Sequence, residues 1–396
     1  MILGPVSLVD CLVFVLLLAP QLLWHVGLFR TTAAVIPMLP FLGPTAASSS
    51  VPGFTVFEHI VIRCVRYAFR NLPASIGRVF FHRNVALPFL RWRMMRHGYL
   101  KCPVVWRECI VGQGEAAAKG VWIWHDPKQP PDVAVYFVHG GGFALGSCYF
   151  YLEFLLAWHH LLLDAGYGNP AIFALDYTLV PDETYPTQVS QTVEGYRHVL
   201  ETVKDGSKVC VAGDSAGGTL ILSLLLVLGS ESTARRRKQV EAGILDDAWE
   251  QSPPESSMPR MAVLISPWVK LVSNLHYPSK VDYLDRRTLR RYAVDYAGES
   301  MLDQSPASPG SCTDEMSWRA ASPQRGYFVV LGDEEVFAPD IQGFVRRQAK
   351  SGIEIEVLNY KGGIHAWPVV SLFLSSTADR RLQGLKSIVA QISRRS

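Results

Sequence analysis

The stretch KVCVAGDSAGGTLILSLLLVLG, residues 208–229, decides the fold, because small residues join an apolar strand-like run to an apolar helix. Its turn places Gly213, Ser215 and Gly217 in the pattern G-x-S-x-G. A bare G-x-S-x-G also arises by chance. Between a strand and a helix, however, the small residues permit a sharp turn that lifts the Ser215 hydroxyl out of a sheet at a helix N-terminus. We therefore predict that Ser215 is a nucleophile.

Strand-like and helix-like runs alternate on both sides of this turn. The predicted strands are 103–110, 120–125, 133–140, 171–177, 208–214, 261–268, 326–333 and 353–360. The predicted helices cover 149–165, 186–203 and 216–229. The later strands are near-continuous apolar runs, as expected of parallel strands buried on both faces. The alternation predicts an α/β fold with a doubly wound sheet, whose chemistry lies at the C-terminal strand ends.

A glycine-rich loop follows the third predicted strand in the run His139-Gly140-Gly141-Gly142-Phe143. Consecutive glycines let backbone N–H groups point at a developing oxyanion, and the N–H of the residue after the nucleophile, Ala216, completes such a hole. The alternative is a flexible turn without a catalytic role. We expect His139 to organise this loop rather than to act as the general base.

The general base is expected late in the chain, after the acid. Of the 11 histidines only His365 lies beyond residue 276, and it follows the last predicted strand. There an imidazole can remove the Ser215 proton and later deliver it to a leaving group. The acid is expected after the strand that ends at Gly332, where Asp333 and Glu335 are the candidates, and position does not choose between them.

These motifs carry a family resemblance. HGGGF at 139–143, LDYTLVPDETYP at 175–186, GDSAGG at 213–218, SPW at 266–268 and IHAW at 364–367 occur in order over most of residues 103–370. The chain resembles the hormone-sensitive-lipase branch of the α/β-hydrolases, and within it the fungal steryl acetyl hydrolases. The resemblance implies an α/β-hydrolase fold, with a mostly parallel eight-stranded sheet, helices on both faces and a helical cap.

The resemblance also assigns roles to individual residues. It implies Ser215 as nucleophile, His365 as base, Asp214 as a support, and an oxyanion hole formed by Gly140, Gly141 and Ala216. The family's acid stands in an Asp-x-Leu pattern, which here falls on Glu335-Val336-Phe337. That departure favours Glu335 over Asp333 as the third member. The cap is expected from residues 54–100 and 270–320, with the hydrolase domain over 102–396.

The N-terminal segment has a different character. From Cys11 to Phe29 the chain runs 19 residues without a formal charge, long enough for one membrane-spanning helix. A buried or interfacial helix is the alternative, and a cleaved signal peptide fits worse, because no Lys or Arg precedes the run. We expect residues 1–30 to be a single-pass anchor, 31–53 a linker, and 54–101 a basic helical segment.

Charge and cysteine usage exclude several classes. The formal net charge of +3 gives no case for a nucleic-acid partner. Seven cysteines without a CxxC pair or a zinc-type Cys/His cluster indicate neither a structural metal nor a disulfide framework. No cofactor is expected. The basic run RRRK at 235–238 is expected in a solvated loop within a polar insertion at 230–258, with a docking motif as the alternative.

The residues predict a serine esterase that forms an acyl-enzyme. We expect its substrate to be a short-chain or acetyl ester of a lipophilic alcohol such as a sterol or terpenoid. An acyltransferase, an amidase and a non-catalytic receptor are the alternatives. The expected location is the endoplasmic reticulum membrane. The Arg excess after the apolar run favours a cytoplasmic body, whereas the resemblance implies a lumenal one.

Overall fold

Eight strands form a single sheet in the computed structural model, which describes residues 1–37, 54–241, 257–276, 279 and 281–394. The strands are β1 (Val105–Val111), β2 (Ala118–Trp124), β3 (Val133–Val138), β4 (Pro170–Asp176), β5 (Val209–Asp214), β6 (Met261–Ile265), β7 (Tyr327–Gly332) and β8 (Ile355–Tyr360). Their order in space is β1-β2-β4-β3-β5-β6-β7-β8. β2 runs antiparallel to β1 and β4, and the other neighbours are parallel. The predicted mostly parallel sheet is confirmed.

Helices cover both faces of this sheet. They are α1 (Leu8–His25), α2 (Leu28–Val35), α3 (Val56–Asn71), α4 (Ala74–Phe81), α5 (Arg83–Arg96), α6 (Leu152–Asp164), α7 (Thr187–Val203), α8 (Ala216–Glu241), α9 (Arg286–Ala297), α10 (Glu315–Ala320), α11 (Ala338–Lys350), α12 (Trp367–Leu374) and α13 (Ala378–Arg394). The buried side chains of α6, α12 and α13 pack on one face of the sheet, and those of α7, α8 and α11 pack on the other.

The central strand β3 shows why the sheet is buried on both sides. Successive side chains of a strand point to opposite faces. Accordingly Ala134, Tyr136 and Val138 belong to the core on the α7 and α8 side, while Val135 and Phe137 belong to the core on the α6 side. All six residues of β3 are fully buried. The strand end that follows, at His139, is therefore held by rigid packing on both faces.

The helix after Ser215 is longer than predicted. α8 continues from Ala216 to Glu241 and includes the RRRK run, so the expectation of a solvated loop beginning at residue 230 is wrong. Residues 230–241 contain neither Gly nor Pro and are rich in Ala, Arg, Lys, Gln and Glu, which favour helix. Arg197 of α7 also pairs with Glu231 at 2.7 Å. The rest of the predicted insertion, 242–256, lies outside the described residues.

The N-terminal segment is attached to the body more closely than an independent anchor would be. Met1 and Leu3 are buried in the same core as α6 and α13. α1 begins with a capping box in which the Ser7 side chain accepts from the Asp10 N–H and the Asp10 carboxylate accepts from the Ser7 N–H. Helix α2 occupies the start of the expected linker, and residues 38–53 of that linker lie outside the described residues.

Two described helices are long and apolar enough to cross a membrane. α1 has a mean hydropathy of 1.9 with 17% of its residues buried, and the Ala216–Gln239 part of α8 has 1.4 with 72% buried. α8 is the core helix behind Ser215. Only α1 presents much of its apolar surface to the outside.

The basic segment and the expected cap insertion meet above the sheet. Arg70 of α3 pairs with Asp285, the N-cap of α9, at 3.2 Å. Arg291 of α9 donates to the carbonyl oxygen of Phe69 at 3.2 Å, and the Phe69 ring contacts that of Tyr283. The two segments thus form one cover over the strand ends.

Candidate active site

Ser215 occupies a strained turn between β5 and α8. Its φ of +53° lies in the left-handed region, which costs a non-glycine residue about 1–3 kcal/mol. The Ser215 N–H donates to Ile265 O, and the Ser215 carbonyl accepts from the N–H of Trp268, both at 3.0 Å. A Cβ on Gly217 would lie 2.0 Å from the carbonyl oxygen of Val138, so only glycine fits there. The backbone therefore fixes the hydroxyl at the strand end.

The glycine-rich loop is also built by its backbone. Gly141, Gly142 and Phe143 follow one another with φ of +113°, +62° and +61°. A Cβ on Gly141 would lie 2.2 Å from Leu145 O, and one on Gly142 would lie 2.7 Å from the ring of Tyr292. This conformation requires glycine at both positions.

The structure corrects one member of the expected oxyanion hole. The Gly140 N–H donates to Oδ1 of Asp214 at 2.8 Å, so it is not free to meet a substrate. The N–H groups of Gly141 and Gly142 donate to no acceptor among the described residues. Gly141 and Gly142, rather than Gly140 and Gly141, therefore have N–H groups available to an oxyanion, and the hole itself stays a prediction.

Asp214 connects the glycine-rich loop to the Ser215 turn. Besides the Gly140 N–H, its carboxylate accepts the hydroxyl of Tyr151 at 2.7 Å. Burial raises the pKa of Asp214 to about 7, although both hydrogen bonds act to lower it. Its contacts are all internal, so it supports the two loops rather than meeting a substrate.

His139 lies at the base of the glycine-rich loop. Its Nδ1 is 2.7 Å from Gly140 O, and its ring stacks on Tyr177 at 4.5 Å. The Tyr177 hydroxyl donates to the carbonyl oxygen of His139. Burial lowers the pKa of His139, so the ring is neutral at pH 7. These contacts fix the loop and give His139 no proton-transfer partner on the Ser215 side.

His365 and Glu335 meet at the ends of β8 and β7. Nδ1 of His365 lies 3.9 Å from Oε2 of Glu335, and both side chains are almost fully buried. Nδ1 of His365 and Oε1 of Glu335 have no hydrogen-bond partner among the described residues. Buried polar atoms in native proteins are nearly always paired, and catalytic hydrogen bonds often shorten only when substrate binds. A shorter separation of Nδ1 and the Glu335 carboxylate would pair both groups.

Ser266 connects the acid to the loop that carries the histidine. Its hydroxyl donates to Oε2 of Glu335 at 2.5 Å and accepts the Ala366 N–H at 2.9 Å. Ser266 has a φ of +45° at the end of β6, so this position is also strained. The geometry separates the two acid candidates, because Asp333 is exposed and accepts the Gly362 N–H instead.

Asp282 is a buried carboxylate that sequence reasoning missed. It accepts backbone N–H groups from Tyr283 at 2.8 Å, from Val336 at 2.9 Å and from His365 at 3.3 Å. Burial raises its pKa to about 6, against the effect of these bonds. It thus joins the cap to both the acid loop and the histidine loop. The only signal in the sequence is a single acid within Val281-Asp282-Tyr283-Leu284.

The imidazole of His365 is held in an apolar enclosure. The rings of Phe337 and Tyr283 contact it edge-on at 5.1 and 5.7 Å. Burial lowers the pKa of His365 to about 3. The ring is therefore neutral at pH 7, which is the form that accepts a proton. Burial also raises the pKa of Glu335, although the Ser266 hydroxyl acts to lower it.

Aromatic rings enclose the space between Ser215 and His365. Phe143 stacks on Tyr296 of the cap at 3.7 Å, and Trp268 contacts Phe143 at 5.7 Å and Phe337 at 5.6 Å. Ser215 is 8% exposed and His365 is 2% exposed. Among the described residues no group of three or more His, Cys, Asp or Glu side chains is placed to hold a metal ion. The described cysteines are all unpaired.

Residues 135–369 match a family model described as the alpha/beta hydrolase fold. This range spans more than half of the chain and contains every residue of the site described above. The chain belongs to the α/β-hydrolase fold family.

Individual relatives indicate the kind of hydrolase that this chain resembles. An acetyl-hydrolase of Streptomyces hygroscopicus is 26% identical over 258 residues, which cover 62% of this chain and 71% of that one. A putative steryl acetyl hydrolase of Schizosaccharomyces pombe is 26% identical over 324 residues, 78% of each chain. A hormone-sensitive lipase from a metagenome library has a similar structure, with a TM-score of 0.55 and 22% identity over 72% of this chain and 85% of that chain. The predicted α/β-hydrolase fold and ester-hydrolase class are confirmed, and the likeness to the hormone-sensitive lipase is one of fold.

Proposed function

We propose that this protein is a serine esterase that uses Ser215, His365 and Glu335. The observation that carries the proposal is the strained Ser215 turn, which lies on the same edge of the sheet as a buried, neutral His365 beside Glu335. Strain of this kind persists only where the surrounding structure enforces it, and it concentrates at functional sites.

The first half of the reaction forms an acyl-enzyme. His365 takes the Ser215 proton while Oγ attacks the ester carbonyl, and the carbonyl oxygen becomes an oxyanion. The N–H groups of Gly141, Gly142 and Ala216 donate to that oxyanion. The imidazolium next to Glu335 then gives its proton to the departing alcohol. Ser215 is left as an ester of the acyl group.

The second half restores the enzyme. A water molecule gives a proton to His365 and attacks the acyl carbonyl, and collapse of the second oxyanion returns the proton to Ser215 Oγ and releases the acid. Glu335 stabilises the imidazolium in both halves. Ser266 supports this role, because its hydroxyl donates to Oε2 of Glu335, the carboxylate oxygen that lies 3.9 Å from Nδ1 of His365.

The acyl group in this proposal is short. Trp268 is fully buried, its backbone N–H binds the carbonyl oxygen of Ser215, and its ring contacts those of Phe143 and Phe337. Phe143 and Phe337, on either side of Trp268, are fully buried as well. This aromatic wall leaves room for an acetyl group more readily than for a long chain.

The alcohol in this proposal is apolar, such as a sterol or another terpenoid. The rings of Tyr283, Tyr292 and Tyr296 of the cap, which face His365, Gly142 and Phe143, support an apolar ligand. Tyr185, in the loop before α7, contacts Tyr296. The name of the S. pombe relative points to the same class. The expected endoplasmic reticulum location stays a prediction.

The purified full-length protein and its Ser215→Ala variant test the activity with p-nitrophenyl esters from acetate to palmitate. We expect turnover of the acetate, a decline as the chain lengthens, and loss of turnover in the variant with an unchanged circular dichroism spectrum. Equal activity of the two proteins would contradict the proposal. Activity that rises with chain length would retain the esterase but overturn the short acyl group.

A second assay addresses the alcohol. An acetylated sterol and a small acetylated alcohol, such as ethyl acetate, are compared by kcat/KM. A higher value for the sterol ester is expected. A higher value for ethyl acetate would overturn the apolar alcohol and leave the serine chemistry intact.

A further inference from the structure

We propose that α1 and α2 form a lipid-contacting face that lies in the plane of a membrane surface, so that the N-terminal segment attaches the body to a bilayer without crossing it. α1 is fixed to the body on one side and bears a continuous exposed apolar stripe on the other.

The chain before α1 is part of the fold. The amino group of Met1 donates to Leu156 O in α6 at 3.3 Å, and the Val6 N–H donates to Phe373 O in α12 at 2.8 Å. Met1 and Leu3 are both buried in the core on the α6 side. The segment that leads into α1 is therefore anchored inside the body.

The first turn of α1 is held by a buried ion-pair network. Asp10 and Arg93 have fully buried side chains, and Nη1 of Arg93 lies 3.1 Å from Asp10 Oδ2. Nη2 of Arg93 also meets Glu153 of α6 at 2.8 Å. Arg96 and the indole N–H of Trp92 bind the Asp10 carboxylate as well. If α1 left the body to cross a bilayer, Arg93 would lose Asp10 while still buried, which is strongly unfavourable.

The inner stripe of α1 is covered. Phe14, Leu18 and Leu22 recur at helical spacing and pack on Ile76 and Val79 of α4 in one apolar cluster. Contacts with the body therefore extend from the first turn of α1 to its last.

The outer stripe of α1 is apolar but uncovered. Leu12 is 65% exposed, Leu16 71% and Trp24 85%, and α2 continues the surface with Leu28 and Phe29. No Asp, Glu, Lys or Arg interrupts the chain from Cys11 to Phe29. A helix on an aqueous surface normally carries charge on its outer face, and apolar surface of this extent marks an interaction site.

A lipid surface fits this face better than a protein partner of ordinary composition. The aliphatic stripe has aromatic rings, Trp24 and Phe29, at one end, and the basic Arg30 follows Phe29 in α2. Aliphatic, aromatic and basic side chains in this arrangement are typical of helices that lie in the headgroup region. Since the body covers the opposite side of α1, the bilayer meets only the outer stripe.

This surface is close to the glycine-rich loop. α4, which packs under α1, donates from Arg78 Nε to Ala144 O at 3.3 Å, and Gly77 faces the side chain of Leu145. The membrane-contacting layer and the loop at Gly141 are thus separated by one helix. The proposal itself does not depend on the proposed function, because its test measures binding rather than turnover.

Flotation with vesicles of phosphatidylcholine and a minority of phosphatidylglycerol tests the face, with the full-length chain. The test variant is Leu12→Gln, Leu16→Gln and Trp24→Gln. The matched control is Ile110→Gln, Leu275→Gln and Met316→Gln, which removes three exposed apolar side chains elsewhere on the body. The wild type and the control are expected to float, and the test variant to lose binding by about tenfold or more with an unchanged near-ultraviolet spectrum.

Failure of the wild type to float, or equal flotation of the test variant, would overturn the proposal. The proposal would also be overturned if the wild type were a dimer, the test variant a monomer, and neither bound vesicles. That result would assign the face to a second copy of this chain.

A second measurement separates a helix in the interface from a spanning one. Membranes that carry the protein are washed with alkaline carbonate, which releases peripheral proteins. In addition, the melting temperatures of the wild type and Asp10→Ala are compared, because Asp10 holds α1 to the body. Release by carbonate and a melting temperature lowered by several degrees are expected. Retention in the membrane, or an unchanged melting temperature for Asp10→Ala, would show a helix that has left the body and overturn the proposal. If Asp10→Ala does not fold, the carbonate wash of the wild type decides alone.

Discussion

Ser215 and Glu335 lie at the ends of strands in the same sheet, but they are positioned in different ways. The Ser215 turn is built by backbone hydrogen bonds to Ile265 and Trp268 and by glycine contacts with no room for a side chain. Glu335 is instead positioned by a side-chain hydroxyl from Ser266, and its loop by the carboxylate of Asp282. The position of Ser215 is therefore specified by a short local motif, whereas the position of Glu335 and its loop depends on side chains from two distant segments.

The substitution with the largest expected effect tests which of the two acids after β7 pairs with His365. Glu335→Gln should lower kcat by about 10³ to 10⁴, because the imidazolium then loses its carboxylate. Asp333→Asn, two residues away and exposed, should leave kcat near the wild-type value. Steady-state kinetics of the two variants make the comparison, and a larger loss in the Asp333 variant would assign the acid to Asp333.

Residue patterns predicted the strand-turn-helix at Ser215 and all eight strands, which follow from hydrophobic runs and from the small residues that end them. The catalytic roles of Ser215 and His365 stay predictions. Those patterns left Asp333 and Glu335 undecided, because burial depends on how the loop packs and not on which residues it contains.

Long-range contacts also account for what the residue patterns missed or left open. Three successive glycines offer three N–H groups, and only the fold shows that Asp214 takes the one from Gly140. Ser266 and Asp282 reach the acid and histidine loops from segments 69 and 83 residues away in sequence. For α1, apolar composition cannot show which side of the helix the body covers.

Glycine substitutions test the claim that backbone contacts position the Ser215 turn. Gly217→Ala should reduce the free energy of unfolding by about 3 kcal/mol or more, because its Cβ would lie 2.0 Å from Val138 O. Gly343→Ala in α11 is the matched control. Its Cβ would meet nothing nearer than Arg347 at 3.7 Å, so a gain of about 0.5 to 1 kcal/mol is expected. Denaturant unfolding measures both, and a neutral Gly217→Ala would refute the close packing of the turn.

Asp282→Asn tests how the loops that carry Glu335 and His365 are positioned. It has the smallest expected effect of these substitutions. Above pH about 6 the ionised Asp282 faces the His365 loop, and its charge favours the imidazolium. Glu335, Tyr283 and the Arg66 guanidinium also interact with that charge. The variant should lose about tenfold in kcat/KM there, which corresponds to about 1.4 kcal/mol. Below that pH the wild-type carboxyl is protonated as well, so the two profiles should converge.

His365 does not account for that step in the profile, because its own pKa of about 3 keeps the ring neutral throughout this window. A constant ratio of the two kcat/KM values from pH 4 to pH 8 would show that Asp282 acts only through its hydrogen bonds. Glu108→Gln on β1 is the control, because Glu108 forms an exposed ion pair with Arg83. No pH-dependent effect is expected of this variant.

Covalent labelling by a fluorophosphonate probe tests the central claim most directly, because such a probe reacts only with an activated serine. The wild-type protein is predicted to carry one adduct, which peptide mass spectrometry places on Ser215, and His365→Ala is predicted to react far more slowly. An adduct on another serine, or no adduct on a folded wild-type protein, would contradict the account.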